Sequence, residues 1–234
     1  MKNFIRKHPI FSECFIFGFG LILAMLISYT GKALYLFEDE HIAIGRIIAG
    51  ILLALLSFRF FREDRPFSAF LIASPALLFV VWNIVYRVFL GATLRPLYEW
   101  PEQFLIGFAP AVFEEVIFRM IFLTILKESG KSDLSAWLIA VLGFGLVHLT
   151  NAAGMNVANV LIQVVYATVF GLLFAAVYLK KKDLTTLILF HGLVDTSDHL
   201  FETGSQTTPL AFIIIFILLL TAEAYYAYSL MKKK

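Results

Sequence analysis

Eight apolar runs, each close to the roughly 20 residues that a helix needs to cross the hydrocarbon core of a bilayer, account for most of this 234-residue chain. They lie near residues 10–30, 43–60, 67–91, 104–126, 134–150, 158–180, 184–200 and 209–230. A backbone surrounded by lipid must satisfy its own N–H and C=O groups, and runs of this length do so as helices. The sequence therefore predicts an all-α fold: a polytopic transmembrane helix bundle with about eight spanning helices, forming a single integral membrane domain over residues 1–234. Hydrophobic residues make up 60% of the chain and charged residues 15%, against about 45–50% and about 25% in soluble domains. Pro75 and Pro110 fall inside apolar runs, where neighbouring helices can re-satisfy the carbonyls that proline frees.

The charges orient the bundle. With a cytoplasmic N-terminus, that side carries Lys2, Arg6, Lys7, Arg59, Arg62, Arg65, Lys127, Lys131, Lys180, Lys181, Lys182, Lys232, Lys233 and Lys234. The other side carries Lys32, Arg46, Arg87 and Arg95. Fourteen against four follows the positive-inside rule, so both termini are expected in the cytoplasm. Lys2, Arg6 and Lys7 precede Ile10–Thr30 as in a signal peptide, but that run is too long and lacks a small-residue cleavage site, so it reads as the first span. Lys180–Lys182 reads as a stop at the membrane surface, and no nucleic-acid partner is expected; the bilayer itself is the surrounding partner. The single cysteine, Cys14, leaves no pairing within the chain and no multi-cysteine metal site.

The run 104–126 breaks the apolar pattern with Glu114, Glu115 and Arg119. A charge at mid-membrane costs roughly 2.5–3.5 kcal/mol on insertion scales and normally faces the bundle interior. Glu115 and Arg119 stand one helical turn apart and can pair. Glu114, rotated about 100° from Glu115, is left with free oxygens. Two further runs carry ionisable groups. One ends in Phe144-Gly-Leu-Val-His148-Leu-Thr-Asn151; the other holds His191 and Asp195 at i, i+4. Lipid cannot satisfy such groups, so a common meeting place inside the bundle follows. Each histidine alone reads as a hydrogen-bonded core residue; the combination on three spans does not.

Glu114-Glu-Val-Ile-Phe-Arg119 matches EExxxR, Phe144-Gly-Leu-Val-His148 matches FxxxH, and His191-Gly-Leu-Val-Asp195 matches HxxxN/D. In this order, on separate spans, they resemble the CAAX protease and bacteriocin-processing family of intramembrane endopeptidases, also called the Abi family. The signature region covers residues 104–200. The resemblance implies that Glu114 is the general base, with His148 its partner in activating a water. It also implies that His191 and Asp195 stabilise the oxyanion. Glu115, Arg119, Phe144 and Asn151 would support them. The last motif position is often asparagine in this family, and Asp195 departs from that. It either stays protonated to donate, or accepts from His191 and holds its ring.

Glu114, His148 and His191 could also ligate zinc. Because no single helix carries the HExxH pairing, hydrolysis without a metal or other cofactor is the favoured expectation. A peptide or membrane-associated protein would be the substrate, and the bacterial cytoplasmic membrane the expected location. A non-catalytic scaffold or immunity-type protein, using the same polar cluster to hold its helices, is the alternative. A transporter with a Glu114–His191 proton relay is weaker, since no internal repeat is visible.

Overall fold

In a computed structural model the described residues are 4, 7–34, 40–57, 65–153, 156–202 and 208–232. Arg59, Arg62 and the outermost residues of both termini lie outside them. The eight predicted runs appear as eight helical segments: α1 Pro9–Ala33, α2 His41–Leu56, α3 Phe70–Phe89, α4 over 100–128, α5 Asp133–Val147, α6 Val157–Lys181, α7 Leu184–His199 and α8 Leu210–Lys232. No strand occurs among the described residues; Leu94 and Phe201 form an isolated bridge. A 3-10 turn, Ser74–Ala76, interrupts α3 at Pro75. A second, His148–Ala153, continues α5.

Five segments are long and apolar enough to cross a membrane: α1, α3, α5 with its 3-10 extension, α6 and α8. Eight were expected. The shortfall has a physical cause. Helices α2 and α7 have 16 residues each, which at about 1.5 Å per residue is shorter than a hydrocarbon core of about 30 Å. The apolar stretch of α4 is broken by Glu114, Glu115 and Arg119.

Side-chain contacts fix the helix directions. Ala69 N–H donates to Asp183 Oδ2 (2.7 Å), Asn83 Nδ2 to the Val194 carbonyl (3.1 Å) and Arg87 Nε to Asp198 Oδ1 (2.6 Å). These pairs ascend together, so α3 and α7 are parallel. Helix α8 runs against α3, with Tyr226 bonded to the Ile72 carbonyl and Phe212 packed on Phe89. Helix α4 runs against α7, from Gly107 beside Thr196 to Glu115 beside His191. Helix α5 runs against α6, with Trp137 Nε1 bonded to the Leu172 carbonyl and Asn151 to Gln163. Phe17 lies on Phe118 and Gly20 on Phe113, so α1 opposes α4. Helix α2 in turn opposes α1, with Gly45 on Ser28 and His41 on Tyr29. The outer ends of α1 and α8 therefore share one end of the bundle with Arg65, Lys127, Lys131 and Lys180–Lys182. Lys32, Arg46, Arg87 and Arg95 lie at the other end.

Small residues set the closest crossings, as in membrane proteins generally. A Cβ on Gly107 would stand 2.6 Å from Thr196 N, and one on Gly192 would stand 2.5 Å from the Phe108 ring. These two glycines let α4 and α7 form the most extensive helix pair among the described residues. Asp183 locks the opposite end of α7. Fully buried, it caps the helix through Thr186 N (2.9 Å) and also holds Ala69 at the start of α3.

Candidate active site

Helix α4 changes character at the charged cluster. It is α-helical over Trp100–Glu115, π-helical over Val116–Phe122 and α-helical again over Leu123–Glu128. Wide turns of this kind are rare and concentrate at functional sites. Arg119 lies within the wide segment, and its Nη1 is 3.1 Å from Glu115 Oε1, both side chains being buried. Arg119 Nη1 and Nη2 make no hydrogen bond, and neither does Glu115 Oε2. The guanidinium instead lies over the Phe144 ring of α5, 3.9 Å from its centroid, a contact that favours a desolvated cation.

Glu115 Oε1 also meets His191 Nδ1 at 2.8 Å. An ionised carboxylate only accepts, so Nδ1 carries the proton and donates. This fixes the ring and turns Nε2 toward Glu114 Oε2 (4.0 Å) and Asp195 Oδ2 (3.6 Å). Glu114 and Asp195 are 20% and 21% exposed, in contrast to Glu115 at 0%. The two adjacent glutamates thus occupy different chemical situations. Glu115 is engaged by Arg119 and His191, whereas Glu114 makes no hydrogen bond to a described residue and reaches open space beside Nε2. Helix α7 therefore owes the orientation of His191 to Glu115 on α4. Asp195, one turn along α7, was expected to be able to hold the ring, but the hydrogen bond is with Glu115.

His148 caps the α-helical part of α5, and its Nδ1–H donates to the Phe144 carbonyl at 2.8 Å. That leaves Nε2 as its free nitrogen. Phe144 is the shared wall: edge-on to His148 at 5.2 Å and to His191 at 6.3 Å, and beneath Arg119. His148 and Glu114 form no direct hydrogen bond. Asn151, on the 3-10 extension, donates to Gln163 of α6 at 2.8 Å. The structure thus brings Glu114, Glu115, Arg119, His191, Asp195 and Phe144 into one cluster. His148 and Asn151 stand at its α5–α6 side.

Sequence reasoning missed the contribution of α6. Phe170 and Phe174 pack edge-on against His191 at 5.6 and 6.1 Å, and Gln163 of the same helix meets Asn151. The available signal was Gln163 and Tyr166 interrupting an apolar run. As for zinc, among the described residues no three or more His, Cys, Asp or Glu side chains gather in a group that could hold a metal. His191 Nδ1 is engaged by Glu115 and His148 Nδ1 by the Phe144 carbonyl, which leaves Nε2 of each ring.

Residues 96–197 match the family model described as type II CAAX prenyl endopeptidase Rce1-like. No curated protein and no solved structure matches the chain. The match encloses all three motifs, from Glu114 to Asp195, and ends two residues beyond the last. Residues 96–197 of this multi-pass membrane protein are therefore similar to the Rce1-like domain of type II CAAX prenyl endopeptidases.

Proposed function

We propose that the chain is an intramembrane endopeptidase that hydrolyses a peptide bond with a water activated by Glu114 and His148. The observation that carries this is the division of labour between the two glutamates: Glu115 is consumed by Arg119 and His191, and Glu114 is free beside His191 Nε2. Glu114 takes a proton from the water, His148 helps to position it, and hydroxide adds to the carbonyl carbon. A doubly protonated His191 keeps one N–H on Glu115 and offers the other, at Nε2, to the oxyanion. A donor so placed is worth a few kcal/mol. When the intermediate collapses, the amine leaves with the proton held by Glu114. No metal takes part in these steps. Both termini lie in the cytoplasm, and the bacterial cytoplasmic membrane is the favoured location. The substrate is a peptide cut near its C-terminus or a small membrane-associated peptide.

A second reading has one observation behind it. The Glu115–Arg119–His191 cluster joins α4 to α7, and through Phe144 to α5, so it would hold a non-catalytic scaffold together equally well. The test is to reconstitute the protein in liposomes, add a peptide library prepared from cells, and identify new peptide termini by mass spectrometry. A peptidase generates a defined set of new termini that Glu114→Gln does not. A scaffold generates none, and keeps its cellular role in Glu114→Ala.

A further inference from the structure

The inference concerns α6 and rests on the peptidase reading above. His191 meets Phe170 at 5.6 Å and Phe174 at 6.1 Å. Helix α6 is antiparallel to α5; α5 is antiparallel to α4, with Lys127 paired to Asp133 at one end and Phe118 on Phe144 further along; and α4 is antiparallel to α7, so α6 and α7 run in opposite directions. One turn from Phe170 toward the start of α6 is Tyr166. One turn from His191 toward the end of α7 is Asp195. In opposed helices these two steps go the same way, so Tyr166 stands across from Asp195 in the layer next to His191. Gln163, a further turn along, is bonded to Asn151 and closes the other side. Tyr166 is half-buried, and its hydroxyl makes no hydrogen bond to any described residue.

Beside the Nε2–H of His191, the oxyanion has no second donor when Asp195 is ionised, and Tyr166 can supply one. An ionised Asp195 only accepts hydrogen bonds and repels developing negative charge; a phenol O–H donates. We propose that Tyr166 is a catalytic residue that donates its O–H to the oxyanion formed as the activated water adds to the scissile carbonyl. In that step the C–O bond forms and the carbonyl π pair moves onto oxygen. Glu114 holds the proton from the water, and Tyr166 keeps its own proton in a hydrogen bond. Collapse reverses the flow, breaks the C–N bond and sends the Glu114 proton to the amine.

The test uses the full chain in liposomes and a quenched fluorogenic peptide ending Cys-aliphatic-aliphatic-Met, in farnesylated and unmodified forms, beside the cell peptide library. Tyr166→Phe is expected to lower kcat by about 10²-fold or more, the effect of losing one oxyanion donor, with KM changed less than about three-fold and an unchanged unfolding temperature. Asp195→Asn supplies an amide donor across from the lost hydroxyl, so Tyr166→Phe/Asp195→Asn is expected to regain about ten-fold. Full activity in Tyr166→Phe overturns the assignment and leaves the peptidase reading intact. So does a loss that comes with a lower unfolding temperature and that Asp195→Asn does not relieve. Wild type that cleaves neither the peptides nor the library overturns both.

Discussion

Glu115→Gln tests the physical logic of the cluster without depending on any substrate. Glu115 is 0% exposed and Arg119 2%, with 3.1 Å between their charged atoms, and the same Glu115 oxygen accepts from His191 at 2.8 Å. Glutamine preserves the shape and can still accept from His191, but it removes the only charge paired with Arg119 among the described residues. Leaving a buried ion without its partner costs about 3–5 kcal/mol, a large part of a total stability of about 5–15 kcal/mol. The companion variant Glu115→Gln/Arg119→Met removes both charges and places an apolar side chain against Phe144. Replacing a buried pair by apolar groups is often neutral, so this double variant is expected to recover most of the loss. Glu114→Gln, with one-fifth of its side chain exposed and no hydrogen bond to lose, should change stability by less than about 0.5 kcal/mol. Unfolding of the purified proteins in mixed micelles, followed by circular dichroism, measures all three. Wild-type stability in Glu115→Gln, or a double variant weaker than the single one, would refute the reasoning.

Three other perturbations follow from the geometry. Gly107→Leu drives a side chain into the Thr196 backbone, where even a Cβ stands at 2.6 Å; it should separate α4 from α7, cost about 1–3 kcal/mol as overpacking does, and impair any activity, whereas Gly18→Leu, with open space around its Cβ, should do neither in the same unfolding assay. Asp195→Asn should keep or raise peptidase activity and remove a fall in rate at high pH, since Glu115 rather than Asp195 holds the His191 ring; a folded variant with little activity and an optimum moved to lower pH would assign Asp195 to charging His191. Reporter fusions after Arg65, Lys131 and Lys182 should all report the cytoplasm, and a periplasmic signal at two of them would overturn the orientation.

The helices and the motifs were legible because each rests on local information. Apolar length placed all eight segments to within a few residues, and the i, i+4 spacing of Glu115 and Arg119 survived the π-helical turn between them. The expected grouping of α4, α5 and α7 came from the cost of charge in lipid alone. What sequence could not show depends on how helices meet. The Glu115–His191 hydrogen bond joins residues 76 positions apart and exists because Gly107 and Gly192 let two helices close on each other. The share of α6 in the site was hidden because phenylalanines facing a histidine look the same in sequence as phenylalanines facing lipid. The run over 134–150 reads as one helix, but the backbone is α-helical only to Val147 and tightens to a 3-10 turn from His148, a change that apolar length does not signal.

The most direct measurement is turnover by Glu114→Gln on whichever library peptide the wild type cleaves. General base catalysis contributes about 10²–10⁴-fold, so the account predicts a kcat at least about 10²-fold below wild type, a folded protein of wild-type stability, and no restoration by added zinc. A Glu114→Gln protein that cleaves as fast as wild type, or one whose loss zinc reverses, would contradict the claim that Glu114 activates water without a metal.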